Sequence, residues 1–322
     1  MVGIRDYTFA VARIRAKENL LFTDNDISAL MSLKSYDDCL NMLTERGWIT
    51  DSYDYEKILY EQEKLLWSFI RELTDDMSEF NIFLYQKDFH NLKASIKAIV
   101  TDSSTNGIFY DTGSISAEKI YNSIKNKEYN QLPEYLKACA ENAMKVLLQT
   151  NDGQLCDIII DKALLDEVRN LAENSRSEAI RLYADTLITT ANIKTAVRCN
   201  KTGKSLDFIK NALVECNTLN KDFLAKASSV SIDEIYNYLL TTDYRNAVDA
   251  LKKSLSAFEI WCDNKLTENM QPQKWEPFTI GPLVAYIVAK ENEIKTVRIL
   301  LSAKFNQLDE QIIKERLRKM YV

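Results

Sequence analysis

Apolar residues recur at helical spacing along most of this chain. Residues 54–73, 136–148, 154–172 and 177–197 each place their apolar side chains on one face of a 3.6-residue period. No stretch alternates strictly over six or more residues, and the β-branched residues 158–160 lie inside a helix-length pattern. The pattern therefore predicts an all-α fold, with residues 158–160 in a helix.

Few residues interrupt these predicted helices. The chain has seven glycines and four prolines, and glycine alone usually makes up about 7% of a protein. The clearest predicted loops are residues 102–116 and 268–281. A last helix is predicted from about Asp309, with Glu310–Lys314 and Glu315–Lys319 as i,i+4 ion pairs.

Two residue patterns each occur three times, in alternation, about 100 residues apart. The first is an isoleucine, a tyrosine nine positions later and a leucine seven beyond that, as in Ile27–Tyr36–Leu43. It recurs from Ile120 and from Ile235. Sequence repeats that span a chain indicate one packing unit used several times.

The second pattern is an asparagine followed, five positions later, by a β-branched residue and then a cation. It occurs at Asn91–Ile96–Lys97, Asn192–Val197–Arg198 and Asn292–Val297–Arg298. No low-complexity linker divides the chain, so residues 1–322 are predicted to form a single body. Its approximate repeat units are residues 1–105, 106–215 and 216–322.

Composition narrows the functional class. Of the 322 residues, 46% are hydrophobic and 27% charged, which is typical of a globular protein. The net charge of −6 argues against a nucleic-acid partner. No run of 18 apolar residues and no signal-peptide pattern is found, so no membrane span and no secretion are predicted. The six scattered cysteines are expected to be reduced.

Candidate catalytic and metal-binding motifs are incomplete. Residues 202–205 (TGKS) resemble the end of a phosphate-binding loop, but Arg198 stands where that loop needs glycine. The acidic cluster at Asp75, Asp76 and Glu79 resembles a magnesium motif without its second half. The single histidine, His90, lacks ligand-type neighbours at metal-site spacing. We therefore expect no catalytic residue, no metal and no cofactor.

The cations near the second pattern form the candidate partner-binding set. If three units surround an axis, these side chains could form a ring that docks an acidic element of a partner protein. The alternative is that they flank a packing helix in solvent, with the asparagines in a cap or an inter-helix hydrogen bond. The set comprises Lys93, Lys97, Lys194, Arg198, Lys295 and Arg298.

The chain resembles the C subunit of prokaryotic V-type (A-type) rotary ATPases, which is the equivalent of the d subunit of the vacuolar ATPase. The likeness is strongest over residues 281–301 (GPLVAYIVAKENEIKTVRILL) and 313–322 (IKERLRKMYV). Residues 7–16 (YTFAVARIRA) are similar to the opening helix of the family. Residues 106–113 and 218–229 carry no feature of the resemblance.

The resemblance implies a funnel of three pseudo-threefold-related helical units. In this family the funnel sits on the cytoplasmic side of the membrane, on the proteolipid rotor ring, and receives the foot of the central stalk made by the D and F subunits. It implies a non-catalytic rotor component that couples ATP turnover to proton or sodium transport, with no lipid-spanning segment.

Two other functions stay open from the residues alone. One is a helical-repeat scaffold or adaptor with an unrelated protein partner, which would be an elongated solenoid. The other is a helical magnesium-dependent enzyme that acts on a diphosphate through Asp75 and Asp76.

Overall fold

The computed structural model describes residues 7–49, 51–105 and 107–322, and every regular element in these ranges is helical. The prediction of an all-α fold is confirmed. The α-helices are α1 (Thr8–Glu18), α2 (Asp24–Ser32), α3 (Tyr36–Glu45), α4 (Tyr55–Leu73), α5 (Asn81–Thr101), α6 (Ala117–Lys125), α7 (Glu134–Thr150), α8 (Gly153–Asn174), α9 (Glu178–Lys201), α10 (Leu206–Ala212), α11 (Lys221–Val230), α12 (Ile232–Leu240), α13 (Ala247–Lys253), α14 (Leu255–Met270), α15 (Gly281–Phe305) and α16 (Glu310–Lys314). Short 3₁₀ helices span Ser78–Phe80, Tyr129–Gln131 and Gln271–Trp275.

Side-chain caps set many of the helix starts. Thr23 Oγ1 accepts a hydrogen bond from the Asp26 backbone N–H, and the Asp26 carboxylate accepts one from the Thr23 N–H. This capping box satisfies two donors that the first turn of α2 would otherwise leave unpaired. Ser116, Ser205 and Ser231 likewise accept from the N–H three residues ahead.

The chain divides into two compact units. Of the described residues, the first unit contains those from Tyr7 to Asp75, Arg176–Thr186 and Asp243–Val322, and the second contains those of Asp76–Ser175 and Leu187–Thr242. Each unit therefore combines segments that are distant in the sequence.

The core of the first unit contains helices from the first part of the chain and from its last part. Helices α2, α3 and α4 turn their apolar faces toward α15, and the C-terminal residues Ile313 and Met320 join the same cluster. Val297, Leu300 and Leu301 of α15 are completely buried there. The last long helix, α15, therefore shares one hydrophobic core with α2, α3 and α4.

One core of the second unit is built from helices that are close in the sequence. Here α5 packs with α6, α7 and α8, and its Leu92 and Ile96 are completely buried. Ile96 and Val297 occupy the same position of the second sequence pattern. In both cores, the helix that carries the second pattern packs against helices that carry the first.

Two local predictions are confirmed and one is wrong in part. The loop prediction at 102–116 is confirmed for the described residues of that segment, and α8 confirms the helix at 158–160. The loop at 268–281 is wrong in its first part, where α14 and a 3₁₀ helix extend to Trp275.

The predicted Glu315–Lys319 ion pair is also wrong. The last helix, α16, ends at Lys314, and Lys319 Nζ lies 3.2 Å from Glu268. The backbone at Lys319 donates to Asn264 Oδ1 and accepts from Asn292 Nδ2. These tertiary hydrogen bonds hold the tail in a conformation that a helix could not provide.

Candidate partner-binding site

The asparagines of the second pattern attach a distant segment of backbone to each long helix. Asn91 Nδ2 donates to the Tyr110 carbonyl at 2.8 Å, and the Tyr110 N–H donates to Asn91 Oδ1 at 2.9 Å. Because Asn91 is completely buried, the two bonds satisfy groups that would be costly to bury alone. The side chain acts as a two-point clamp on the segment before α6.

The other two asparagines also bind distant backbone. Asn192 donates to the Val214 carbonyl at 2.6 Å and accepts from the Val214 N–H at 3.0 Å. Asn292 Nδ2 donates to the Lys319 carbonyl at 2.8 Å. The shared spacing of the three asparagines therefore reflects a recurring hydrogen bond from a long helix to non-helical backbone. This bond is neither the cap nor the inter-helix hydrogen bond that was expected for them.

Two of the predicted cations pair across α5 and α8 in the second unit. Lys93 Nζ forms an ion pair with Asp161, and Lys97 Nζ lies 2.7 Å from Asp157 Oδ1. All four side chains are partly exposed, and such pairs contribute only about 0.2–1 kcal/mol. The lysines can therefore exchange these partners for carboxylates of another protein at little cost.

Arg198 lies beside the same two aspartates. It lines a cavity of about 350 Å³ together with Asp157, Asp161, Leu165 and Cys199. Its side chain is exposed and, within the described part of the chain, forms no ion pair. We call Lys93, Lys97, Asp157, Asp161 and Arg198 the α8 charge cluster.

Lys194 lies one turn before Arg198 on α9 and is half-buried. It already has an interaction partner within the protein. Its charge is therefore less available than that of Arg198.

The remaining two predicted cations lie in the first unit. Lys295 Nζ is 3.0 Å from Asp263 Oδ1, and Arg318 Nε is 3.0 Å from the other oxygen of that carboxylate. Burial alone would raise the pKa of Asp263, but these two cations outweigh it and hold the pKa below its ordinary value. Arg298 Nη2 lies 3.2 Å from Glu56 Oε2.

The α8 charge cluster is thus the place where the structure brings predicted residues together. It unites Lys93, Lys97 and Arg198. Asp157 and Asp161 were missed by sequence reasoning, although their i,i+4 spacing on α8 matches that of the two lysines on α5. Equal spacing of opposite charges on two predicted helices is the signal that could have indicated them.

The motifs considered for chemistry have structural roles. Gly203 has a φ of 62° after the end of α9, and Ser205 caps α10. The Asp76 carboxylate accepts from the Ser78 N–H at 2.8 Å. His90 Nε2 lies 2.9 Å from the Ile108 carbonyl oxygen. Within residues 7–49, 51–105 and 107–322 no cluster of metal-ligating side chains is found.

Two further properties bear on the setting of the site. No helix in the described ranges is both long and apolar enough to cross a membrane. All six cysteines are free thiols, and four of them are buried.

Comparison with known proteins places the chain in a family. Residues 10–316 match the model of the ATP synthase (C/AC39) subunit family. The chain is 25% identical to the C subunit of the V-type sodium ATPase of Enterococcus hirae, over 96% of this chain and 97% of that protein. It is 23% identical to the C subunit of the A-type ATP synthase of Methanocaldococcus jannaschii, over 98% and 87%. The chain therefore belongs to the ATP synthase (C/AC39) subunit family, as a structural and non-catalytic component of a V-type or A-type ATPase complex.

Proposed function

We propose that this protein is the central-stalk component that couples the D and F stalk subunits to the proteolipid ring of its rotary ATPase. ATP turnover in the complex would then drive ion transport, or the reverse. The protein would lie at the cytoplasmic side of the membrane and be held there through the ring. Family membership supports this role, and so do three features of the molecule.

The packing of α15 against α2, α3 and α4 is the observation that carries the proposal. In an open solenoid each repeat contacts only its neighbours, so the first and last helices lie far apart. Here Leu300 and Leu301, near the end of the chain, share a core with Ile27 and Leu30 near its start. This contact supports a closed arrangement of three units about an axis, with repeats near residues 1–105, 106–215 and 216–322. It disfavours the elongated adaptor.

Long uninterrupted helices suit a part that transmits torque. The helices α5, α9 and α15 contain 21, 24 and 25 residues, which corresponds to roughly 30–38 Å each. Each is attached to a distant segment through Asn91, Asn192 or Asn292. A buried asparagine hydrogen bond on each long helix limits the sliding that would dissipate torque.

Within this role we assign stalk binding to the predicted cations. Arg198 is available for an acidic side chain of the stalk, and Lys93 and Lys97 hold exchangeable partners. Lys194, Lys295 and Arg298 are proposed to contribute to stalk binding as well. Weak ion pairs of this kind would allow the stalk to bind reversibly.

The direct test is binding to the stalk. The purified chain should capture a purified complex of the D and F subunits, and the detergent-solubilised proteolipid ring should bind to the resulting assembly. Capture of neither the stalk nor the ring would contradict the proposal.

A further inference from the structure

A second cavity, of about 370 Å³, lies within the first unit. Its walls come from α1, α4, α15 and the turn after α3. Among the described residues that line it, only Glu72 carries a carboxylate. The lining side chains that can donate hydrogen bonds with a positive charge are Arg13, Lys17, Arg46 and Lys290.

Three of these cations are already neutralised by neighbouring carboxylates. Arg13 Nη2 lies 3.0 Å from Glu72 Oε2, and Lys290 Nζ lies 2.5 Å from Glu293 Oε1. Arg46 forms an ion pair with Asp26. Four cations therefore face three carboxylates, and the cavity keeps one excess positive charge.

Lys17 supplies that excess charge. Its side chain is exposed, and no carboxylate of the described residues lies within ion-pair distance of it. Its Nζ lies 5.4 Å from the centroid of the Phe69 ring, and Arg13 Cζ lies 5.1 Å from the same centroid. The ring attracts both cations and keeps them at the cavity wall.

Gln62 adds a buried donor without an acceptor. The residue is 5% exposed and lines the cavity, and its Nε2 has no hydrogen-bond partner among the described residues. Leaving such a donor unpaired is unfavourable, because the group loses its bonds to water and gains none in return. An oxyanion in the cavity would supply the missing acceptor and also neutralise Lys17.

A further hydrogen-bond donor of the cavity lies on α15. Tyr286 lines the cavity, and burial together with Glu293 and Glu18 raises the pKa of its hydroxyl. The hydroxyl therefore keeps its proton at neutral pH and can donate a hydrogen bond.

We propose that this cavity binds a small phosphate-bearing anion, with Lys17 as its counter-charge and Gln62 Nε2 as a hydrogen-bond donor. Phosphate oxygens accept from several directions, which suits donors that come from three helices. A cavity of this volume is within the range of small-molecule sites. The proposal does not depend on the coupling role.

Calorimetric titration of the purified full-length chain with pyrophosphate tests this site. We expect saturable binding at one site per chain. Lys17→Glu should abolish it, whereas Lys57→Gln, at an exposed lysine outside the cavity, should leave it unchanged. Gln62→Leu should weaken binding about tenfold without lowering the thermal midpoint. A purely structural role of Gln62 would move the midpoint and leave the affinity alone.

Two further titrations identify the source of the phosphate. Binding of inorganic phosphate or pyrophosphate alone would indicate a free anion, and binding only to vesicles that contain phosphatidic acid would indicate a lipid headgroup. The proposal is overturned if none of the three probes binds saturably, or if Lys17→Glu and Lys57→Gln bind equally well.

Discussion

Asn192 and Val214, 22 residues apart, exchange two hydrogen bonds between one side chain and one peptide unit. Both residues are almost completely buried. Asn91 forms the same pair of bonds with Tyr110, 19 residues away. The asparagine of the second sequence pattern thus marks a hydrogen-bond arrangement that occurs at least twice in the structure.

Removing a clamp should destabilise the protein. For Asn192→Ala we expect a loss of about 1–3 kcal/mol in the free energy of unfolding, because a buried N–H and a buried carbonyl of Val214 lose their partners. Urea denaturation followed by circular dichroism measures this loss. Asn41→Ala, at an exposed helical position, is the matched control and should change the stability by less than about 0.5 kcal/mol. Equal effects would contradict the clamp.

The shared core of α15 and the first helices gives a second prediction. Leu300→Ala should cost about 2–5 kcal/mol, since it empties a completely buried site. Hydrogen exchange should speed up in α2 and α3. Leu136→Ala, in the equivalent core of the second unit, should instead speed up exchange in α6 and α7. Loss of protection in α2 and α3 with Leu136→Ala but not with Leu300→Ala would contradict this packing.

Asp263 makes the stability of the first unit depend on pH. Its pKa is held below the ordinary value of about 3.9 by Lys295 and Arg318, despite burial. The stabilisation is therefore present above that ordinary value and is lost as the pH falls through the lower, folded-state pKa.

For Asp263→Asn we expect a loss of about 1–3 kcal/mol in the free energy of unfolding at pH 7, because two partly buried cations lose their hydrogen-bonded partner. The difference from the wild type should narrow below about pH 4 in urea titrations, as the wild-type carboxylate takes up its proton. Asp249→Asn, at an exposed aspartate, serves as control and should show no such narrowing. A difference that stays constant down to about pH 3 would disagree with the assignment.

Charge reversal tests the proposed stalk-binding cations. We expect the combined change of Lys194, Arg198 and Arg298 to glutamate to weaken binding of the D and F stalk at least about tenfold, through like-charge repulsion. Arg198→Glu alone should account for part of this loss, since Arg198 is exposed. Lys145→Glu, at an exposed lysine outside the cluster, should have no effect. Unchanged affinity with retained helicity would remove these cations from the interface.

Periodicity was sufficient to predict the helices α4, α7, α8 and α9. The apolar face over residues 54–73 corresponds to α4, which spans Tyr55–Leu73. A local pattern determines which face of a helix is apolar, and this information is present in a single sequence.

The same pattern does not say which helices share a core. Val297 and Ile58 are 239 positions apart in the sequence and yet belong to one cluster. Nothing local distinguishes the partner of α4 from that of α5, because both helices present an apolar face. The ion pairs between α5 and α8 were not predicted for a related reason. Asp157 and Asp161 become partners of Lys97 and Lys93 only once α5 and α8 are packed.

Ion transport per ATP hydrolysed, in vesicles that contain the assembled complex with and without this chain, tests the coupling role most directly. We predict that hydrolysis continues without the chain, that ion transport falls to background, and that adding the purified chain restores transport. Equal transport per ATP with and without the chain would contradict the account.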